Sequence, residues 1–185
     1  MEQAIMEETI MKEMIKGRLI LLGKNIDTDQ IYPGRYLELV EYADIGKHCL
    51  EGVGSQIAGI LQKGDIVVAG TNFGCGSSRE HAAIALLAKG ISAVAADSFA
   101  RIFFRNGINL GLPLITCPGI SQIAKHMEQI EVNIRTGEIF LPERDIAVKG
   151  EQMGAHALSI LAANGIKPLF RQKSQKMKKE RPLES

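Results

Sequence analysis

The sequence predicts an α/β fold: a small parallel sheet built from β-α-β crossovers, with an antiparallel hairpin added to it. Three observations carry this. Short apolar runs rich in β-branched residues, at 66–69 and 91–95, are each followed by a helical stretch and then by another apolar run, so two crossover units stand in succession. The first unit turns through a glycine loop, Gly74, Cys75, Gly76, Ser77, Ser78, Arg79, Glu80, His81. Beyond Pro118 the pattern changes to strict alternation on either side of Arg135, Thr136 and Gly137, the signature of a hairpin.

Taken in order, residues 1–16 are rich in Met and Glu with a loose helical period, and we read them as an N-terminal extension to a domain spanning residues 17–170. A first strand is expected at 18–22. Gly23, Lys24 and Asn25 turn the chain into Asp27, Thr28, Asp29 and Gln30, and Tyr32, Pro33 and Gly34 break it again. Two aspartates flanking a threonine are ordinary loop chemistry, each able to bond its own backbone, and a functional role stands beside that reading. Residues 35–51 form a polar, partly helical connection, of a length that is often functional or mobile.

After the strand at 66–69 and its glycine loop, a helix over 82–89 stops at Gly90. The strand at 91–95 leads to Asp97 and Ser98, expected to cap a helix over 99–106, and a strand at 112–116 closes the second unit. The hairpin strands fall at 129–134 and 138–141, with a further strand at 144–148. A last helix over 154–163 ends at Asn164 and Gly165, with Pro168 beyond. Residues 171–185 form a basic C-terminal tail, most simply a solvated, frayed end.

Composition narrows the function. A chain of 185 residues with a formal charge of +1 makes one ordinary domain and offers no general attraction for nucleic acid. The three cysteines, Cys49, Cys75 and Cys117, are too far apart for a disulfide framework or a Cys-x-x-Cys metal knuckle, which fits a reducing cytoplasm and no metal bound by this chain. Neither a secretory leader nor an apolar run of membrane-spanning length is apparent.

The chemistry concentrates in the glycine loop. Gly74 and Gly76 permit positive φ and close approach of the backbone to a ligand, and Ser77 with Glu80 reads as a capping box. Free backbone N–H groups at the positive end of a helix make a seat for an anion. Ser78 and Arg79, expected in the first turn, add a hydroxyl and a bidentate fork suited to a carboxylate. Simple helix capping is the bland alternative. Cys75 reads as packing and His81 as a structural histidine; Asp97, Ser98 and Arg101 follow the neighbouring strand and could contribute to the same site, with helix capping, and surface roles for Arg101 and Arg105, as the simpler reading.

Residues 25–30, 33–37, 70–81, 98–106 and 109–113 together resemble the small-subunit family of 3-isopropylmalate dehydratase, the separate swivelling domain of the aconitase superfamily; the likeness covers roughly residues 16–172. The resemblance implies a β/β/α swivelling fold that works only with a large subunit, as a heterodimer or heterotetramer. It implies no cofactor on this chain and a 4Fe–4S cluster on the partner. It also assigns roles: Ser77 as catalytic base, Ser78 and Arg79 as ligands of a substrate carboxylate, and Asp29, with Gly76, as support.

The segment Leu37, Glu38, Leu39 is implied to meet the variable group of a 2-alkylmalate. Glu38 would repel a third carboxylate, which disfavours aconitate and homoaconitate, while Leu37 and Leu39 suit an alkyl group. A small apolar residue is expected at position 38 in an isopropylmalate enzyme, so dehydratases of 2,3-dimethylmalate or citraconate/methylmalate stay open. The reading from another class is a stand-alone anion-binding module that passes no protons.

Overall fold

The computed structural model describes residues 13–180, and twelve residues of the expected N-terminal extension therefore lie outside it. One mixed sheet of seven strands runs in the order β4-β3-β2-β1-β5-β6-β7. Its parallel half is β1 (Met14–Leu21), β2 (Ile66–Ala69), β3 (Ala93–Ala96) and β4 (Leu114–Thr116). Every residue of β2 and β3 is buried, as a strand covered on both faces requires.

Each step from β1 to β4 moves one place in the same direction. Crossovers of this kind are right-handed, so equal steps gather the connecting helices on one face. These are the short α1 (Thr28–Ile31), α2 (Tyr42–Lys47) and α3 (Ser55–Ile60) before β2, α4 (Glu80–Lys89) before β3, and α5 (Arg101–Leu110) before β4. From the edge strand β4 the chain returns past α6 (Ile120–Ile123), which packs on β2 and β3.

The antiparallel half is β5 (Gln129–Asn133), β6 (Glu138–Leu141) and β7 (Ile146–Lys149). It joins the parallel half through β1, whose first part, Met14 to Arg18, pairs with β5 and whose last part, Leu19 to Leu21, pairs with β2. Residues 14–16, read from the sequence as part of the extension, thus belong to the sheet. A buried fork fixes the change of partner: Arg18 Nε and Nη2 donate to Asp65 at 3.0 and 2.8 Å, and Asp65 is 3% exposed. This carboxylate raises the guanidinium above its ordinary pKa.

The last described elements are α7 (Ala155–Ala162), which packs on α5, and α8 (Ile166–Glu180). The expected frayed tail is therefore helical through residue 180. Pro168 does not prevent this, because in a helix's first turn the missing N–H has no intrahelical partner to lose.

Candidate active site

Three consecutive post-strand loops meet at the carboxyl ends of β1, β2 and β3, and parallel pairing continues through them. Isolated bridges join Asp27 to Cys75 and Phe73 to Phe99. Thr28 N donates to Cys75 O at 2.8 Å, Gly74 N to Ile26 O at 2.8 Å, and Ala100 N to Phe73 O at 2.9 Å. The glycine loop is thus tied to a neighbour on either side. Beneath it, Phe73 meets Phe103 edge-on, their centroids 5.3 Å apart at 80°. Gly74 (φ +78°) lies so close that a Cβ there would stand 2.1 Å from the Phe103 ring. The positive φ and this contact both require glycine.

These ties correct the expected capping box. The loop stays non-helical through Ser78, Arg79 is the N-cap in an extended conformation, and no side chain caps α4. Ser77 instead accepts the Arg79 N–H through its carbonyl at 2.8 Å. Ser77 and Ser78 are exposed on the loop, and Ser78 and Arg79 precede the first turn rather than lying in it. Asp97 and Ser98 do not cap α5 either: the Asp97 carboxylate accepts from Ser121 N and Oγ at 3.1 and 2.6 Å, and Ser98 Oγ accepts Asn72 N at 2.9 Å.

An open cleft of about 310 Å³ is lined by Thr28, Gly76, Ser77, Ser78 and Arg79 on one side and by Arg101, Phe103 and Asn106 of α5 on the other. Arg79 reaches across to Asp29, Nη1 to Oδ1 at 2.5 Å, and the same oxygen accepts Gly34 N at 3.1 Å. The expected Ser77, Ser78, Arg79, Gly76 and Asp29 are therefore gathered together. Leu37, Glu38 and Leu39 are not among the cleft's walls: both leucines pack half-buried on the core, and Glu38 is exposed.

Two groups were undervalued or missed from the sequence. Arg101, whose place after the neighbouring strand allows a contribution although a surface role is the simpler reading, lines the cleft together with Asn106. Glu51 gathers a cluster behind the Leu37 segment, accepting from Tyr36 Oη at 2.8 Å and from Arg35, and meeting His48 Nδ1 at 2.6 Å. Tyr36 and His48 stack with centroids 3.6 Å apart. Nothing local in the sequence marks this cluster. His81, the second residue of α4, lies parallel to Tyr32 with centroids 6.2 Å apart.

Cys49 and Cys117 are buried and Cys75 half-buried, and no three potential metal ligands come together among the described residues. No described helix is long and apolar enough to cross a membrane.

The parallel half of the sheet, stepping in one direction, carries a serine-serine-arginine loop at its carboxyl edge, and this is the part of the chain that resembles a known domain class. The model of that family, described as "Aconitase C-terminal domain", matches residues 61–118. More specific likeness comes from whole chains. The 3-isopropylmalate dehydratase small subunit 1 of Methanopyrus kandleri is 45% identical over 161 residues, 87% of this chain and 95% of that one. The 2,3-dimethylmalate dehydratase small subunit of Eubacterium barkeri is 39% identical over 151 residues, 82% and 93%. A crystal structure titled 3-isopropylmalate dehydratase from Methanocaldococcus jannaschii superposes with a TM-score of 0.86 at 38% identity, covering 91% of this chain and 99% of the other. The chain belongs to the family of 3-isopropylmalate dehydratase small subunits, and is one part of an aconitase-type hydro-lyase.

Proposed function

We propose that this chain, in the cytoplasm and joined to a large subunit, interconverts 2-isopropylmalate and 3-isopropylmalate by dehydration and rehydration, with Ser77 as the base. The carrying observation is the convergence of Ser77, Ser78 and Arg79 on one cleft in a chain of this family.

A serine is a feeble base until its oxyanion is stabilised; Ser77 stands three residues ahead of α4, whose positive end favours negative charge nearby without any N–H of the described residues bonded to the Ser77 side chain. Ser77 Oγ, as alkoxide, takes the proton α to a carboxylate; the hydroxyl on the neighbouring carbon leaves as hydroxide, giving the alkene. Hydroxide then adds to the carbon that lost the proton, and Ser77 returns its proton to the carbon that lost the hydroxyl, regenerating the alkoxide. As the proton departs, negative charge builds on the carboxylate, where the Arg79 fork and the Ser78 hydroxyl bind it more tightly than in the ground state. Asp29 holds the guanidinium in place for this. A 4Fe–4S cluster, which the separated cysteines of this chain do not fit, would serve on the large subunit as Lewis acid for the departing hydroxyl.

A second reading, 2,3-dimethylmalate as substrate, draws on Glu38 and on the name of the Eubacterium barkeri relative. In both, Leu37, Glu38 and Leu39 reach the alkyl group only in the assembled enzyme. The test is reconstitution with the large subunit under anaerobic conditions, offering isopropylmalate, dimethylmalate, citramalate and homocitrate side by side. Isopropylmalate turnover by the pair, and none by the chain alone, is expected. Turnover of dimethylmalate alone would replace the substrate, and binding without any turnover would favour an anion-binding module.

A further inference from the structure

Thr28 is 2% exposed, and its Oγ1 is fully buried with no hydrogen-bond partner among the described residues. Buried hydroxyls rarely remain unpaired, because desolvation without a partner costs stability. Here the backbone of the same residue is fully engaged, its N–H on Cys75 O at 2.8 Å and its carbonyl accepting Tyr32 N at 2.9 Å. The orphaned hydroxyl is therefore not a symptom of a badly seated residue.

Its surroundings point to a use. Thr28 is part of the cleft wall shared with Gly76, Ser77, Ser78 and Arg79. The bridge from Asp27 to Cys75 sets Thr28 beside Gly76, the residue before Ser77. A Cβ on Gly76, whose φ is +93°, would come within 3.4 Å of Thr28 Oγ1. Glycine leaves no side chain between that hydroxyl and the loop.

From these contacts we infer that Thr28 is a positioning residue whose hydroxyl donates a hydrogen bond to Ser77 Oγ in the assembled, substrate-bound enzyme. The donor stabilises the serine oxyanion directly, and its own missing partner is that oxyanion. This rests on Ser77 being the base.

The experiment compares Thr28→Val and Thr28→Ser in the reconstituted enzyme, with Ser77→Ala as reference. Valine matches threonine in shape and removes the orphaned hydroxyl, so the isolated subunit should melt at the same temperature or higher. Turnover should nevertheless fall, by about tenfold to a thousandfold in kcat, the range seen when one oxyanion donor is deleted, with little change in KM. The acid limb of the kcat/KM profile should move to higher pH, since a lost donor makes Ser77 a group of higher pKa. Thr28→Ser should restore kcat to within about threefold, less than one power of ten in rate. Wild-type kcat in Thr28→Val, or a fall matched by a lowered melting temperature and an unmoved pH profile, would overturn the inference. If Ser77→Ala abolishes turnover while Thr28→Val does not, only the role of Thr28 fails; if Ser77→Ala remains active, the base assignment fails first.

Discussion

Replacing Glu51 by Gln tests how the segment behind the cleft is held. Its carboxylate receives His48 Nδ1, Tyr36 Oη and the Arg35 guanidinium, and these hydrogen bonds, His48 first, hold its pKa down at about 2 from an ordinary 4.5 against the opposing effect of burial. A depressed carboxylate stabilises the fold above its unfolded pKa, and that contribution is lost as pH falls through the folded value. The full shift corresponds to about 3 kcal/mol. Glu51 keeps 29% of its side-chain surface in water and Arg35 63%, so screening reduces the expected difference to about 1–2 kcal/mol at pH 7. Urea denaturation of the isolated subunit at pH 7, 5 and 3 reads it. The unfolded carboxyl takes its proton first, so more than half of the gap between wild type and Glu51→Gln should vanish between about pH 5 and pH 3. A gap that is absent at pH 7, or constant across the range, would refute the reasoning.

Other substitutions probe the scaffold and the site separately. Gly74→Ala puts a methyl into the Phe103 ring at a positive φ and should cost about 3 kcal/mol in denaturant titrations, with turnover falling alongside. Asp65→Ala takes the carboxylate from Arg18 at the point where β1 changes partners, leaving its guanidinium the Ile60 carbonyl but no counter-charge; a loss of about 3 kcal/mol is expected from the same titrations. Asp29→Asn removes a pair whose acid is 56% exposed, so stability should change by less than about 1 kcal/mol. The reconstituted enzyme should nonetheless show KM raised about tenfold, as expected if one charge-assisted contact is weakened.

The parallel half of the sheet was legible because residues 66–69 and 93–96 are apolar on both faces, a pattern set by local burial alone. The first part of β1 was not, since Lys16 and Arg18 interrupt it and its partner β5 lies more than a hundred residues on. The helix after Gly165 was hidden by Pro168, which reads as a stop but sits where a helix tolerates it. At the candidate site, the two serines and Arg79 could be read as anion-binding residue types in a loop after a predicted strand, whereas Asp29 was singled out only by the family resemblance, its segment reading by itself as ordinary loop chemistry. The capping box misled because Ser77 and Glu80 have the right spacing, whereas the backbone ties of Gly74, Cys75 and Thr28 delay the helix until Glu80. The unpaired hydroxyl of Thr28 depends on tertiary burial, which no sequence pattern encodes.

The base assignment is tested most directly by Ser77→Ala in the reconstituted enzyme, measuring both turnover and the affinity of the two subunits. Ser77 is exposed on a loop held by its backbone, so removing its hydroxyl should leave assembly unchanged while dehydration falls by at least about a thousandfold. Turnover near the wild-type rate with intact assembly would contradict the account.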